Sequence, residues 1–377
     1  MDDLSGLAVW AEVDLGAVAH NVAEIRRVVG PGVGIMAVVK ADAYGHGLEA
    51  VARTVVAAGA QWLAVAVPEE AFRIRALGLR LPILVLSHTP APVLAEAIRQ
   101  DLRLTLYSPR QVRELVDVAR AVGRRVKVHV KVDTGMGRLG FSWEESGVRE
   151  ILAALEPPEL EPEGVFTHFA CADEPDPAFT WEQWHRFRRV LAALEQAGKH
   201  FAYRHAANSA ATLAFPQTHL DLVRPGLALY GLYPANGAGR ERVRLVPAMS
   251  LKARPIFLKE VPAGTPLSYG RTYVTTRPSR IAVLPLGYAD GYSRLLSNRA
   301  EVLVRGRRVP VVGRVCMDHT LIDVTEVPEA AEGDEVVLFG RQGEAFLPVE
   351  ELAEKTGTIS YEVLCRIGSR VPRVYRS

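Results

Sequence analysis

Between residues 9 and 232 the chain alternates short apolar runs with longer stretches whose apolar residues recur at helical spacing. Val18, Val22, Ile25 and Val29 line one face of a helix predicted over 17–29, and the segment 48–58 repeats the idea before Gly59. The apolar runs at 35–39, 62–67, 83–86, 102–106, 126–132, 164–168, 202–205 and 222–223 read as buried parallel strands. Eight strands separated mostly by helix-length segments predict an α/β fold, a closed (β/α)8 TIM-like barrel over 9–238, with an open doubly wound sheet as the structural alternative. After Tyr233-Pro234-Ala235-Asn236-Gly237-Ala238-Gly239 the texture changes. Short β-rich runs at 249–257, 280–284, 301–304, 309–315 and 335–338, punctuated by Gly and Pro, predict a mainly β carboxyl-terminal domain over 239–377. A helix is predicted over 349–356. The strand candidate at 8–13, in a leading segment 1–13, has two available partners, the barrel or the β domain.

Composition narrows the function more than the fold. A chain of 377 residues, 49% hydrophobic and 23% charged, is long enough for more than one core. A formal net charge of +2 with mixed signs gives no reason to expect a nucleic-acid or membrane partner. Three cysteines form neither a disulfide framework nor a zinc spacing, so no metal is expected and a reducing compartment is favoured. Without a basic-then-apolar leader or an apolar run of spanning length, the expected location is cytoplasmic.

The chemistry gathers after the strands. The run Gly34-Ile35-Met36-Ala37-Val38-Val39 delivers Lys40 to a strand's carboxyl end, where an ammonium is costly to bury unless it is deprotonated or bonded. Gly45 and Gly47 permit close backbone approach to a ligand, and Tyr44 adds a hydroxyl. In the predicted barrel, Lys131 and Arg138 lie at and after the fifth strand, His168 ends the sixth, Asn208-Ser209 follow the seventh and Arg224-Pro225-Gly226 follow the eighth. Barrel strands share one mouth at their carboxyl ends, so this recurring placement reads as one site, although a lone His or Arg is more often structural.

The stretch Lys40-Ala41-Asp42-Ala43-Tyr44-Gly45-His46-Gly47 closely resembles the lysine segment of the pyridoxal-phosphate-dependent alanine racemases of fold type III. The resemblance implies that Lys40 forms a Schiff base with pyridoxal 5'-phosphate. It further implies that Tyr44, Asn208, Ser209, Tyr361 and the backbone of Gly226 and Leu227 hold the cofactor, chiefly at its phosphate. Arg224 resembles the arginine that faces the pyridine nitrogen. An arginine stays protonated, so that nitrogen should not be, which weakens the ring as an electron sink and disfavours side reactions. In Lys131-Val132-Asp133-Thr134-Gly135-Met136-Gly137-Arg138 the family pattern implies a carbamylated Lys131 holding Arg138 against the cofactor and the substrate carboxylate.

Racemisation needs a proton carrier on each face of a planar carbanion. By resemblance these are Lys40 on the D-alanine side and Tyr269, within Leu267-Ser268-Tyr269-Gly270-Arg271, on the L-alanine side, with His168 linking Tyr269 to Arg224. Tyr288 and the backbone N–H of Met317 match substrate-contacting positions. The family implies a head-to-tail homodimer with shared active sites, acting on L-alanine and D-alanine and supplying D-alanine for bacterial cell-wall peptidoglycan. His319 and Cys171 depart from residues common in the family, which touches substrate discrimination rather than reaction class. A pyridoxal-phosphate decarboxylase and a non-enzymatic pyridoxal-phosphate-binding protein are the rivals. The first is disfavoured by Arg224 where a glutamate is expected, and the second by the added β domain.

Overall fold

The computed structural model describes residues 6–234, 237 and 239–377. The first five residues of the 1–13 segment, and Ala235, Asn236 and Ala238 beside the expected boundary at 238/239, lie outside the described residues. The chain divides into two compact units. One comprises Gly16–Ala43 and Leu48–Val246, and the other the amino-terminal residues to Leu15, Tyr44–Gly47 and Pro247–Ser377.

The first unit is a nearly closed barrel of eight parallel strands. In hydrogen-bonded order they are Leu222–Val223, Gly34–Val38, Trp62–Val65, Ile83–Val85, Arg103–Leu106, Val126–Asp133, Leu160–Phe166 and Tyr203–His205. Helices such as Leu48–Ala57 and Pro109–Val122 fall between them in sequence, and Leu15–Val29 precedes the first. Ile35, Ala37, Leu63, Leu84, Leu104, Val128, Val130 and Val165 are wholly buried. Gly34–Val38, Trp62–Val65 and Ile83–Val85, covered on both faces, carry continuous apolar runs, whereas Val126–Asp133 alternates valine with lysine and histidine. The closing seam is sparse: Asp221 N–H donates to Arg204 O at 3.1 Å and Arg224 N–H to Ala207 O at 2.9 Å.

The sixth strand corrects the sequence expectation. It begins at Leu160, not at residue 164, and runs through Glu161-Pro162-Glu163 to Phe166, leaving His168 two residues past its end. Proline lacks an N–H and two carboxylates read as surface, so pattern alone stops short. The ladder absorbs the irregularity by a register shift between Val128 and His129. Gly164 is required there, because an added Cβ would lie 2.5 Å from His129 Nδ1.

The second unit is mainly β. Its larger sheet runs Arg307–Pro310, Glu301–Val304, Val336–Gln342, Met249–Ala253, Val9–Asp14, Arg373–Arg376, with Ala345–Leu347 beside Val336–Gln342. The amino-terminal strand thus finds its partners here, pairing Val9 with Ala253 antiparallel and Ala11 with Arg373 parallel. The predicted run 249–257 splits into Met249–Ala253 and Phe257–Val261 around Arg254-Pro255. Phe257–Val261, Ser279–Leu284 and Thr320–Asp323 form a three-stranded sheet, and the helix Val349–Thr356 ends at Gly357 in the left-handed region.

Candidate active site

Lys40 opens a left-handed turn. Ala41, Asp42, Ala43 and Tyr44 have φ of 53°, 52°, 55° and 55°, a run of four non-glycine residues in a region that costs about 1–2 kcal/mol each. Such strain persists only where surroundings over-determine it. Glu70 Oε1 accepts the Ala41 N–H at 2.5 Å, while its Oε2 accepts Ala66 N–H at 2.9 Å and Val67 N–H at 3.4 Å. Asp42 Oδ1 accepts the Leu48 N–H at 3.1 Å and Arg73 Nη2–H at 3.0 Å. Sequence reading found Lys40 but not Glu70, because a glutamate in the first turn of the helix Pro68–Ala76 looks like ordinary capping.

The loop after Val126–Asp133 is built on one carboxylate. Asp133 Oδ1 accepts from the N–H groups of Gly135 and Gly137 at 2.9 and 3.1 Å, and Oδ2 from Arg138 N–H at 3.0 Å. Gly140 adopts φ 137°, and a Cβ there would lie 2.5 Å from Asp133 N. The loop thereby holds Arg138, itself exposed, within electrostatic reach of Lys131. Burial, then the charges of Arg138 and Arg224 and more weakly that of Lys40, pushes the Lys131 amine down to about 8. The Lys131 ammonium also lies over the Phe166 ring, 5.6 Å from its centroid.

Arg224 is almost wholly buried, and its guanidinium meets a set of hydrogen-bond acceptors. Nη2 donates to Thr167 O at 2.7 Å and Ala206 O at 3.0 Å, and approaches His168 Nδ1 at 3.3 Å. Nη1 donates to His205 Nδ1 at 2.9 Å. Burial pushes Arg224 down to about 9, which leaves it protonated at neutral pH. His168 and His205 are held well below the ordinary histidine range, first by burial and then by the Arg224 charge; both are neutral.

A guanidinium has no acceptor, so the protons of the buried chain are assigned. His205 accepts at Nδ1 and its Nε2–H donates to His129 Nδ1 at 2.8 Å; His129 Nε2–H in turn donates to Glu163 Oε2 at 3.3 Å. Arg103 completes the line with Nε–H to Glu163 Oε2 at 3.0 Å. His205, His129 and Glu163 were not singled out by sequence. His205 ends a strand as His168 was expected to, which is the signal that was available, whereas Glu163 sits in a stretch that pattern excludes from the strand.

Ser209, buried, starts the short helix Ser209–Ala214, and Asn208 caps it by accepting the Ala211 N–H at 3.0 Å. The Ser209 hydroxyl oxygen accepts from Gly226 N–H at 2.8 Å and Ala228 N–H at 3.2 Å, with Leu227 between them. Lys40, Lys131, Arg138 and Arg224 gather in this unit around His168, with Asp133 the carboxylate that opposes Lys131. Such a donor set fits a multiply charged anion with further acceptor atoms, as a phosphorylated pyridine bearing a phenolic oxygen is.

The β unit carries the remaining expected residues. Tyr44 is buried, its ring centroid 6.0 Å from that of Tyr361, and burial raises its hydroxyl pKa. Gly45 and Gly47 answer for close packing here, since a Cβ on Gly45 would lie 2.4 Å from Leu364 O. Tyr269 is 70% exposed, Tyr288 41% and Met317 53%. Tyr288 N–H donates to Cys316 O at 3.0 Å and Ala289 N–H to Met317 O at 3.1 Å, while Ser268 Oγ–H donates to Arg314 O at 2.6 Å. Tyr269, Tyr288 and Met317 therefore sit on segments tied to one another, with His319 N-terminal to the strand Thr320–Asp323 and its O accepting from Cys316 N–H at 2.9 Å.

The chain matches the family model described as alanine racemase, N-terminal domain, over residues 13–234, and that of the alanine racemase C-terminal domain over 248–375. It is 50% identical to a protein of Desulfosudis oleivorans named alanine racemase, covering 99% of this chain and 97% of that one. A protein of the same name from Desulforamulus reducens is also 50% identical, covering 97% of this chain and 98% of that one. Among solved structures, the alanine racemase of Clostridium difficile 630 superposes with a TM-score of 0.94 at 39% identity, covering 98% of this chain and 96% of that chain.

Proposed function

The chain belongs to the alanine racemase family, and from that premise we propose that it interconverts L-alanine and D-alanine with pyridoxal 5'-phosphate, by proton exchange at two side chains. The observation that carries the reading is the convergence of Lys40, Lys131, Arg138 and Arg224 around neutral His168.

When bound, pyridoxal phosphate supplies an electron-withdrawing ring that acidifies the substrate Cα–H. Lys40 would hold the cofactor before substrate arrives. Ser209, Tyr44, Tyr361 and the backbone of Gly226 and Leu227 would hold its phosphate, and Asn208 would fix the segment that presents Ser209. Arg224 would face the pyridine nitrogen as a donor only. Arg138 would orient the substrate carboxylate, together with Met317 N–H, while Tyr288 would line the substrate's approach. Carbamylation of Lys131 requires a neutral amine, which its lowered pKa of about 8 supplies in part at neutral pH. The product would set an anion against Arg138.

Lys40 then exchanges the proton on the D-alanine side. Tyr269, well exposed on its own unit, would be the base on the L-alanine side of a second copy's barrel, in a head-to-tail homodimer with shared active sites. His168 accepts at Nδ1 from Arg224, leaving its Nε2–H to stabilise the Tyr269 phenolate. Among the described residues no helix is long and apolar enough to cross a membrane, and no disulfide engages Cys171, Cys316 or Cys365. A cytoplasmic enzyme supplying D-alanine for peptidoglycan accords with both.

Incubating the full-length protein with pyridoxal phosphate and L-alanine, then resolving the products on a chiral column, tests the reading. Equal L- and D-alanine at equilibrium is the expected result. Loss of carbon dioxide from the substrate, or no D-alanine from a cofactor-loaded protein, overturns it.

A further inference from the structure

We propose that Glu70 is a positioning residue for the Lys40 amine, acting by pinning the left-handed turn on which that lysine stands. The inference rests on the reading of Lys40 as the reacting amine.

The turn needs an outside tether. Ala41, Asp42 and Ala43 lie at φ/ψ of 53°/53°, 52°/46° and 55°/49°, and none is a glycine. L-residues leave this region for the right-handed or extended one unless held. One tie is internal: Ala43 N–H donates to Val39 O at 2.9 Å, closing the turn over Lys40. The Ala41 N–H, on the peptide that immediately follows Lys40, meets Glu70 Oε1 at 2.5 Å. The second oxygen of the same carboxylate is fixed by Ala66 and Val67, where the next barrel strand, Trp62–Val65, passes into its helix. Glu70 is 9% exposed, so water is a poor substitute at these positions. The carboxylate therefore ties the lysine-bearing turn to the rigid end of the neighbouring strand. Rotation of the Ala41 peptide would swing the Lys40 Cα–Cβ direction, and with it an amine at the end of four methylenes.

A glutamine at 70 keeps the shape but has a single acceptor oxygen, so its NH2 must face a backbone N–H at one end. Glycine at 41 acts oppositely. It adopts the left-handed region without a steric penalty, and the Ala41 side chain it removes is exposed.

In the full-length holoenzyme, Glu70→Gln is expected to lower kcat by about 10- to 100-fold with KM nearly unchanged, the size of effect that misplacing a reacting group produces. It should also accelerate amide hydrogen exchange in 41–47 while the rest of the barrel stays protected, and alter the visible circular dichroism of the bound cofactor. Adding Ala41→Gly should return most of the lost kcat and protection. Recovery by glycine at 41 distinguishes this role from simple capping of the helix Pro68–Ala76, which such a change does not touch. Ala41→Val alone, leaving Glu70 intact, should reproduce the kcat loss because a β-branched residue resists positive φ.

Wild-type kcat and exchange in Glu70→Gln overturn the proposal, as does a loss that Ala41→Gly fails to relieve. Should Glu70→Gln not fold, Ala41→Val decides, and wild-type kcat in it is a negative answer. A Lys40→Ala protein that still racemises alanine instead removes the reading on which the proposal rests.

Discussion

Arg224 Nη1 donates to His205 Nδ1 at 2.9 Å, and this contact assigns the protons of a buried line reaching Glu163 and Arg103. His205 is wholly buried, and its replacement by alanine strands two partners: Arg224 loses an acceptor and His129 a donor. His205→Ala is expected to cost about 2–4 kcal/mol of stability, in line with buried polar groups left unpaired. Its racemase kcat should fall as Arg224 loses its fixed orientation. Chemical denaturation with steady-state kinetics measures both, and a variant indistinguishable from wild type in each contradicts the assignment.

Acid should find the same residues. His129, His168 and His205 are each held below the usual histidine value near 6.5, burial being the largest cause. Below that pH the unfolded chain takes up protons that the folded one refuses. Stability is therefore full above 6.5 and declines as pH falls beneath it, by up to about 1.4 kcal/mol per pH unit for each histidine. Denaturant midpoints measured between pH 7.5 and 5 should slope downward with acid. A flat profile would show that these histidines charge freely in the fold.

Lys131 sets a window at the alkaline end. Its folded value of about 8 lies under the unfolded 10.5, so the unfolded chain holds more protons between the two and stability rises with pH across that interval. In the cofactor-free protein, Lys131→Met should abolish this contribution to the slope. If Lys131 is carbamylated, intact mass recorded gently from bicarbonate should exceed that of Lys131→Met, after allowing for the substitution, by one carbon dioxide. An unmodified lysine with another anion beside Arg138 rejects the carbamate and keeps the anion site.

Lys40→Ala should lose the near-visible absorbance of the protein-bound cofactor and nearly all racemisation. Retention of both at wild-type levels refutes its role.

The shared-site dimer is tested by complementation. Lys40→Ala and Tyr269→Phe homodimers should each be nearly inactive. Mixed and allowed to exchange subunits, they form heterodimers in which one site holds both native residues and the other neither. Such heterodimers should reach about half the wild-type activity. Verified heterodimers without activity, or full activity in an isolated monomer, would rule out crossing between subunits.

Particular residues show where sequence legibility ends. Lys40 was legible because it follows a continuous apolar run, and Lys131, Arg138, Ser209 and Arg224 because each lies at or after a strand candidate whose end is expected at the barrel mouth. Glu163 was not, because Pro162 and two carboxylates argue against a strand, and only Arg103 and His129, distant in sequence, make that position tolerable. Glu70 was not, because its hydrogen bond to Ala41 spans 29 residues and leaves no periodic trace. The strand Val9–Asp14 was readable as a strand but not as a neighbour of Met249–Ala253 and Arg373–Arg376.

Sequence by itself determined the periodicities, and through them the eight barrel strands, the mainly β character of the later part of the chain and the family-like segments in order. These are local: burial of one face or two imposes a spacing on neighbouring residues, and the spacing can be read back. Tertiary structure alone decided which imidazole nitrogen carries a proton beside Arg224, how far burial depresses Lys131, and that four left-handed residues are held at Lys40. Each of these depends on what lies across space within a few ångströms in a medium that screens charge weakly, and no spacing along the chain encodes that.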